Sequence, residues 1–337
     1  MRATVKDVAA LAGVSAKTVS NVINGVVFVR PQTKERVEKA LAELDYVPNL
    51  SARGLRNGRT GVIALALPDL ATPYSAEMAH HFVEAAHERG WGIQIEETGA
   101  RPEREEQLLS RARAQMVDGL VLNPIVSDEF TLPDDSAHLP PAVLIGEVEQ
   151  SRLDQVRVDP DQAAYDMTST LIGLGHRRIA VLGSPVRTNT FTARLRTAGY
   201  RRALADAGIR HDPALEIGCD DWEPHGGASA MDAFLERSPL PDALFCFTDS
   251  LAIGALSTLW RRGIQVPEGV SVAGFDDIAH GEYASPPLTT VSFDKRAFTD
   301  AALDRLEARI TDRARDAMLV TVQHRIIVRE STRHAVG

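Results

Sequence analysis

Ten histidines, two cysteines and 46 acidic residues give this 337-residue chain material for metal, nucleophilic or acid–base chemistry, yet their spacing organises none of it. His80, His81 and His87 cluster without an HExxH pair, and histidines scattered along one helical stretch are more often solvated than metallated. Cys219 and Cys246 lie far apart with no CxxC and no base placed beside them. That excludes a thiolate zinc site and a disulfide framework, and it fits a reducing compartment. Neither GxGxxG, GxxxxGKS/T nor GxSxG occurs, so nucleotide binding by those loops and acyl transfer at a nucleophile elbow are not indicated. The acids of Asp220-Asp221 and Asp276-Asp277 are adjacent in sequence, which usually points side chains apart rather than together as a catalytic pair.

Charge is more informative. Residues 1–60 hold ten Lys/Arg against five acids, a net +5, and the rest of the chain carries −14. A basic head on an acidic body suits a polyanion-binding module joined to a separate sensor, and a compact enzyme has no need of it. With 44% hydrophobic and 25% charged residues the chain is ordinary globular protein, long enough for two or three domains. No apolar run reaches the ~18 residues of a membrane span, and Met1-Arg2-Ala3-Thr4 begins no signal-peptide core, so a cytoplasmic location is expected. A secreted solute-binding protein, the rival reading, would need a leader and no basic head.

The head contains elements that could position such residues. Thr4 ahead of Val5, Val8, Ala9 and Ala12 predicts an N-capped amphipathic helix that Gly13 ends. Ser15 caps a second over 16–23, with Val19, Val22 and Ile23 on its apolar face, and the pair forms a helix-turn-helix. A third helix starts near Arg30-Pro31 and runs to Asp45.

Val5-Lys6-Asp7-Val8-Ala9-Ala10-Leu11-Ala12-Gly13-Val14-Ser15, Thr18-Val19-Ser20, Val22-Ile23-Asn24-Gly25 and Tyr46-Val47-Pro48-Asn49 resemble the DNA-binding headpiece of the lactose/galactose repressor family. The resemblance implies that the second helix enters the major groove, which admits a helix and shows a distinct pattern for each base pair. Ala16, Lys17 and Asn21 then become the base readers. Lys17 could donate to guanine N7 and O6, Asn21 could pair with adenine, and Ala16 offers a methyl contact. Ser15, Thr18, Ser20 and Asn24 suit phosphate oxygens, and Asn49 joins the DNA-binding set. In the family the linker folds on DNA against its twin and pushes a leucine into the minor groove; Leu55 holds that position. The ordinary alternatives are that Lys17 and Asn21 are merely solvated and that Leu55 packs onto the body.

From Gly61 onward, apolar runs at 62–67, 92–95, 119–122, 142–145, 179–182 and 243–247 alternate with helical stretches at 75–89, 103–116, 162–174, 196–207 and 250–262. Such alternation predicts doubly wound parallel sheets, and the length predicts two lobes with a cleft between them. Gly175-His176-Arg177-Arg178, Thr248-Asp249, Gly274-Phe275-Asp276-Asp277, Pro287-Leu288-Thr289-Thr290-Val291 and Val328-Arg329-Glu330-Ser331 continue the family likeness, which resembles a periplasmic sugar-binding fold. The expected fold is an N-terminal all-α helix-turn-helix headpiece plus an α/β periplasmic-binding-protein-like body of two doubly wound parallel-sheet lobes. The expected divisions are a headpiece over 1–47, a hinge over 48–60, an N-terminal lobe over 61–160 and 292–320, and a C-terminal lobe over 161–291 and 321–332.

The likeness also implies a small-molecule effector. Asp276 and Arg196 match the family's polar contacts: a carboxylate accepts neighbouring sugar hydroxyls, and a guanidinium donates to hydroxyl, ring oxygen or carboxylate. Trp222 and Tyr74 match aromatics suited to the apolar face of a pyranose or a base, and Glu147, Asn123 and Phe293 match positions that vary between members. Thr248 departs from the pattern, standing where many relatives have Asn. Asp276 could instead cap the next helix, Trp222 could be a core aromatic, and Arg196 could form a surface ion pair. The whole reads as a ligand-responsive regulator, a repressor, binding a pseudo-palindromic operator in double-stranded DNA. It should need no cofactor or metal, catalyse nothing, and respond to a carbohydrate or sugar derivative. Some relatives become tetramers through a C-terminal leucine heptad segment; here the chain stops at Gly337, and a homodimer is expected.

Overall fold

The computed structural model describes residues 3–24, 28–46, 59–111, 117–124, 140–148, 150–185, 190–219 and 221–335. Two compact units, Met1–Thr60 and Gly61–Gly337, divide the chain. The first holds α1 (Val5–Ala12), α2 (Ala16–Asn24) and α3 (Pro31–Glu43). A capping box starts α1: the Asp7 N–H donates to the Thr4 hydroxyl, and the Asp7 carboxylate accepts the Thr4 N–H at 2.8 Å. The Thr4 hydroxyl, 2.7 Å from Asp7 Oδ2, and the Thr4 N–H both donate to the Asp7 carboxyl and hold it below its ordinary range. Gly13, at φ 63°, closes the helix in the left-handed conformation, and Ser15 Oγ accepts the Thr18 N–H at 3.1 Å to start α2. Val8, Ala9, Ala12, Val19, Val37 and Ala40 form the buried centre on which the three helices meet. The hinge is not described beyond Arg59 and Thr60, so Asn49 and Leu55 lie outside the described residues.

The second unit runs β1 (Val62–Leu67), α4 (Pro73–Glu88), β2 (Gly92–Glu97), α5 (Pro102–Arg111), β3 (Gly119–Leu122), β4 (Ala142–Ile145) and β5 (Asp154–Val158). It continues with α6 (Pro160–Gly173), β6 (Ile179–Leu182), α7 (Phe191–Asp206), β7 (Glu216–Ile217), α8 (Pro224–Arg237), β8 (Ala243–Cys246), α9 (Asp249–Arg261) and β9 (Ser271–Phe275). Last come α10 (Ala279–Glu282), β10 (Thr289–Phe293), α11 (Lys295–Thr311), β11 (Leu319–Val322) and β12 (His324–Ile327). One six-stranded sheet has the order β11-β5-β4-β3-β1-β2 and the other β12-β10-β9-β8-β6-β7. Every neighbouring pair is parallel except β10 with β12. The two doubly wound lobes expected from the alternation are therefore the architecture found.

The chain changes sheets after Val158, Phe293 and Val322. The last two changes come two residues later than the expected boundaries at 291 and 320, because the ladders extend to the pairs Phe293↔His324 and Val322↔Val158. Residues 292–293 thus belong to the C-terminal lobe and 321–322 to the N-terminal one. Helix α7 starts at Phe191 rather than 196, because Thr190 caps it by accepting the Ala193 N–H at 3.1 Å. Helices α8, α10 and α11 are not among the helical stretches expected from the sequence. In α11 the buried face of Phe298, Ala302, Leu303 and Leu306 is interrupted by Thr299 and Arg309. Arg309 is buried there because Nε and Nη2 donate to Asp154 Oδ2 at 3.0 and 2.8 Å. Among the described residues no helix is long and apolar enough to cross a membrane.

Helices α8 and α9 pack closely at Gly254, where a Cβ would collide with the Pro224 carbonyl oxygen. Gly254→Ala is therefore expected to cost about 1–3 kcal/mol by overpacking, read as a lower urea midpoint at unchanged slope. An unchanged midpoint would show that the two helices can separate freely.

Candidate functional site

Both sheets direct the carboxyl ends of their strands at one cavity of about 470 Å³ between the lobes. The ends of β1, β3 and β4 bring Asp69, Asn123 and Glu147 to it, and those of β8, β9 and β10 bring Thr248, Asp276 and Phe293. Tyr74 enters from α4, Arg196 from α7, and Trp222 from the segment before α8. All eight residues named from the sequence for a ligand line this one cavity.

Asp276 is held in an unusual backbone. It has φ 111° and Asp277 has φ 48°, both in the region that non-glycine residues rarely adopt. The Asp276 N–H donates to the Val291 carbonyl at 2.9 Å, which ties the turn to β10. The Ile278 N–H donates to Asp249 Oδ2 at 2.9 Å, and Thr290 Oγ1 donates to Asp249 Oδ1 at 2.6 Å. On the far side, Arg329 Nη2 reaches Asp277 Oδ1 at 2.8 Å. Helix α10 takes no side-chain cap, so Asp276 does not serve as one. Burial pushes the Asp276 carboxyl up to about 7; Arg196 and Lys295 oppose this, while Glu147 and Glu77 add to it.

Arg196 is buried, which removes the surface ion-pair alternative. Its Nη1 donates to the Phe247 carbonyl, its guanidinium lies 3.5 Å from the Phe275 ring centre, and Nη2 is 3.9 Å from Glu147 Oε1. Arg196 Nε and Trp222 Nε1 have no partner among the described residues. Trp222 packs its ring 6.4 Å from Phe247, so it is both an edge of the core and a wall of the cavity. Burial, then the charges of Asp276 and Glu147, push the Tyr74 hydroxyl far above its usual range, and it stays a neutral donor. Thr248 Oγ1 accepts the Leu251 N–H at 3.2 Å as the cap of α9. It can offer a ligand one hydroxyl donor where an Asn would offer two donors and an acceptor. Glu147 is held across the cleft by Thr192 of α7, whose Oγ1 donates to Oε2 at 2.8 Å.

The sequence reading missed Asp69, Thr72, Glu97, Thr190, Thr192, Asp221, Glu223 and Phe275 in this cavity. Two had a legible signal, since Thr72 and Thr190 stand at the N-caps of helices that follow strands, on the side where ligands collect in such folds.

In the headpiece, α2 leaves Ala16 and Lys17 exposed and Asn21 half-exposed one turn beyond Lys17. Ser15 is exposed and its Oγ lies 2.9 Å from that of the half-buried Thr18. Ser20 is half-buried, and the Asn24 side chain lies outside the described residues although its backbone ends α2.

Residues 4–49 match the model for bacterial regulatory proteins of the lacI family, and residues 168–332 match a periplasmic binding protein-like domain. Over 333 residues, 98% of each chain, the protein is 33% identical to the HTH-type transcriptional repressor PurR of Aliivibrio fischeri (strain MJ11). The chain belongs to the lacI family. Its fold superposes on that of a lac repressor dimer bound to operator and the anti-inducer ONPF with TM-score 0.87 at 28% identity, covering 99% of this chain and 100% of that one. A transcriptional regulator CelR in complex with cellobiose gives TM-score 0.71 at 34% identity, covering 98% and 100%. This lacI-family member is a ligand-responsive, DNA-binding regulator, and its relatives are repressors rather than enzymes.

The Asp276 carboxyl gives this regulator a pH signature. If ligand hydroxyls donate to the ionised form, affinity should hold above about pH 8 and fall as pH drops through about 7, with protons released on binding. Calorimetry in buffers of different ionisation enthalpy reads both effects. Without ligand the sign reverses: a carboxyl raised from 3.8 to about 7 contributes stability that is lost as pH rises through 7. Asp276→Asn should therefore melt higher than the wild type at about pH 8 while losing the ligand. A pH-independent affinity would separate Asp276 from binding.

Proposed function

We propose that the protein is a repressor that binds a pseudo-palindromic operator as a homodimer, under the control of a carbohydrate or sugar derivative in the inter-lobe cleft. One observation carries the reading: eight residues spread from Tyr74 to Phe293 converge on a single cavity between two lobes. Polar side chains among aromatic walls are the mixture that sugar recognition needs. The solved complex of CelR with cellobiose supports this ligand class, and the operator-bound lac repressor dimer supports the DNA and the dimer.

Lys17 and Asn21 are assigned to base edges, with Ala16 beside them, and Ser15, Thr18, Ser20, Asn24 and Asn49 to the phosphate side. The hinge over 48–60 carries Leu55 as the minor-groove wedge. An effector shifts operator affinity only if it binds two arrangements of the lobes unequally. Glu147 meeting Thr192 and Arg196 across the cleft is a contact that such a rearrangement would alter.

Lys17→Ala and Asn21→Ala should each lose about 1–3 kcal/mol on the operator with little change on random duplex. Asp276→Ala should keep operator binding and lose the ligand response, whereas Leu55→Ala should weaken operator binding and leave effector affinity intact. Gel-shift titrations with and without ligand decide these cases. Equal losses on both DNAs would remove Asn21 from the base readers, and an Asp276→Ala protein that still responds at wild-type ligand concentrations would place the pocket elsewhere.

A further inference from the structure

Six carboxyl groups line the cleft, those of Asp69, Glu97, Glu147, Asp221, Glu223 and Asp276, against the single guanidinium of Arg196 among the described residues. That guanidinium is already engaged, with Nη1 on the Phe247 carbonyl, Nη2 facing Glu147 and its flat side against Phe275. With Nη1 engaged its Nη1–Nη2 end is not free to take a carboxylate or phosphate in two-pronged fashion, and on its other edge Nε is buried.

The helix N-termini around the cavity have part of their anion-binding capacity taken up as well. A helix start normally offers unpaired N–H groups and a favourable dipole to a phosphate. Here α4, α7 and α9 each spend an N–H of the first turn on their own threonine: Ser75 on Thr72, Ala193 on Thr190 and Leu251 on Thr248. Helix α8 begins behind a carboxylate, Glu223, with Pro224 supplying no N–H at its first position. Glu223 itself feels the crowding, its carboxyl pushed up by burial and then by the charges of Asp69 and Asp221.

Resting on the reading of this cavity as the effector site, we infer that the effector bears no negative charge. It is a neutral or cationic molecule rich in hydroxyl or amine donors, and phosphorylated or carboxylated metabolites are excluded. Those carboxyls that are ionised accept hydrogen bonds and cannot donate them, so the ligand must bring donors to them. Apart from Arg196, the donors that line the cavity are neutral, the Tyr74 and Thr248 hydroxyls and the Asn123 amide among them.

Trp222 is one of three tryptophans and the one that lines the cavity, so a Trp91→Phe, Trp260→Phe protein reports on the cleft alone. At constant ionic strength, caesium should quench Trp222 fluorescence several-fold more efficiently than iodide, with acrylamide as the uncharged reference. Asp69→Asn with Glu223→Gln should narrow that ratio. In the same protein, a saturable response to glucose or glucosamine without one to glucose 6-phosphate or glucuronate would support the assignment. Iodide quenching equal to caesium, or tighter binding of the phosphate or uronate than of the parent sugar, would overturn it. Loss of the ligand response in gel shifts would instead strike the regulatory reading and leave the quenching ratio as it is.

Discussion

The cleft depends on a buried carboxylate that does not line it. Asp249 opens α9, is fully buried, and uses its two oxygens to hold the Ile278 N–H and the Thr290 hydroxyl. Residue 274 must be glycine beside it, since a Cβ there would strike Asp249 Oδ1. The effect is to clamp the ends of β9 and β10 to one helix start, where the dipole also favours an acidic residue. Two successive non-glycine residues with positive φ cost about 1–3 kcal/mol each, and they persist when neighbours over-determine them. Asp276 and Asp277 are such a pair, and Asp249 is the neighbour that fixes the turn from below.

From that turn the connections lead across the molecule. Lys295 Nζ donates to the Asp277 carbonyl at 2.6 Å and to Glu77 Oε2 at 2.7 Å, and Glu77 Oε1 accepts the Ala279 N–H at 2.7 Å. Glu77 belongs to α4 of the N-terminal lobe, while Asp277 and Ala279 follow β9 of the C-terminal lobe. The loop that presents Asp276 is thus attached to both lobes, and a ligand that gripped Asp276 would act at a point where lobe arrangement and pocket shape are one variable. Glu147 makes the second such attachment through Thr192 and Arg196.

Much of this was legible because it is local. The headpiece shows itself in Thr4, Gly13 and Ser15 with apolar residues at helical spacing, and half of the strands, β1–β4, β6 and β8, in apolar runs that are buried on both faces in all but the edge strand β2. The resemblance carried the eight cavity residues, which no periodicity could have gathered from positions so far apart. What stayed hidden is non-local. Arg309 looks like a surface residue until Asp154, more than 150 positions away, accounts for its burial, and so α11 escaped notice. The acidity of the cleft is likewise invisible in order, because Asp69, Glu97, Asp221 and Glu223 meet only after folding. The role of Thr248 needed the structure too, since its side chain serves the α9 cap and the cavity at once.

Control of DNA binding from the cleft is a coupling free energy, and coupling of this kind is reciprocal. The direct measurement is the Kd of the cognate ligand for the free protein and for the protein saturated with operator DNA, by calorimetry under identical salt. Coupling predicts that the two values differ by the same factor by which the ligand changes operator affinity. Identical ligand affinities for both forms, alongside a ligand-dependent gel shift, would contradict control through this cleft.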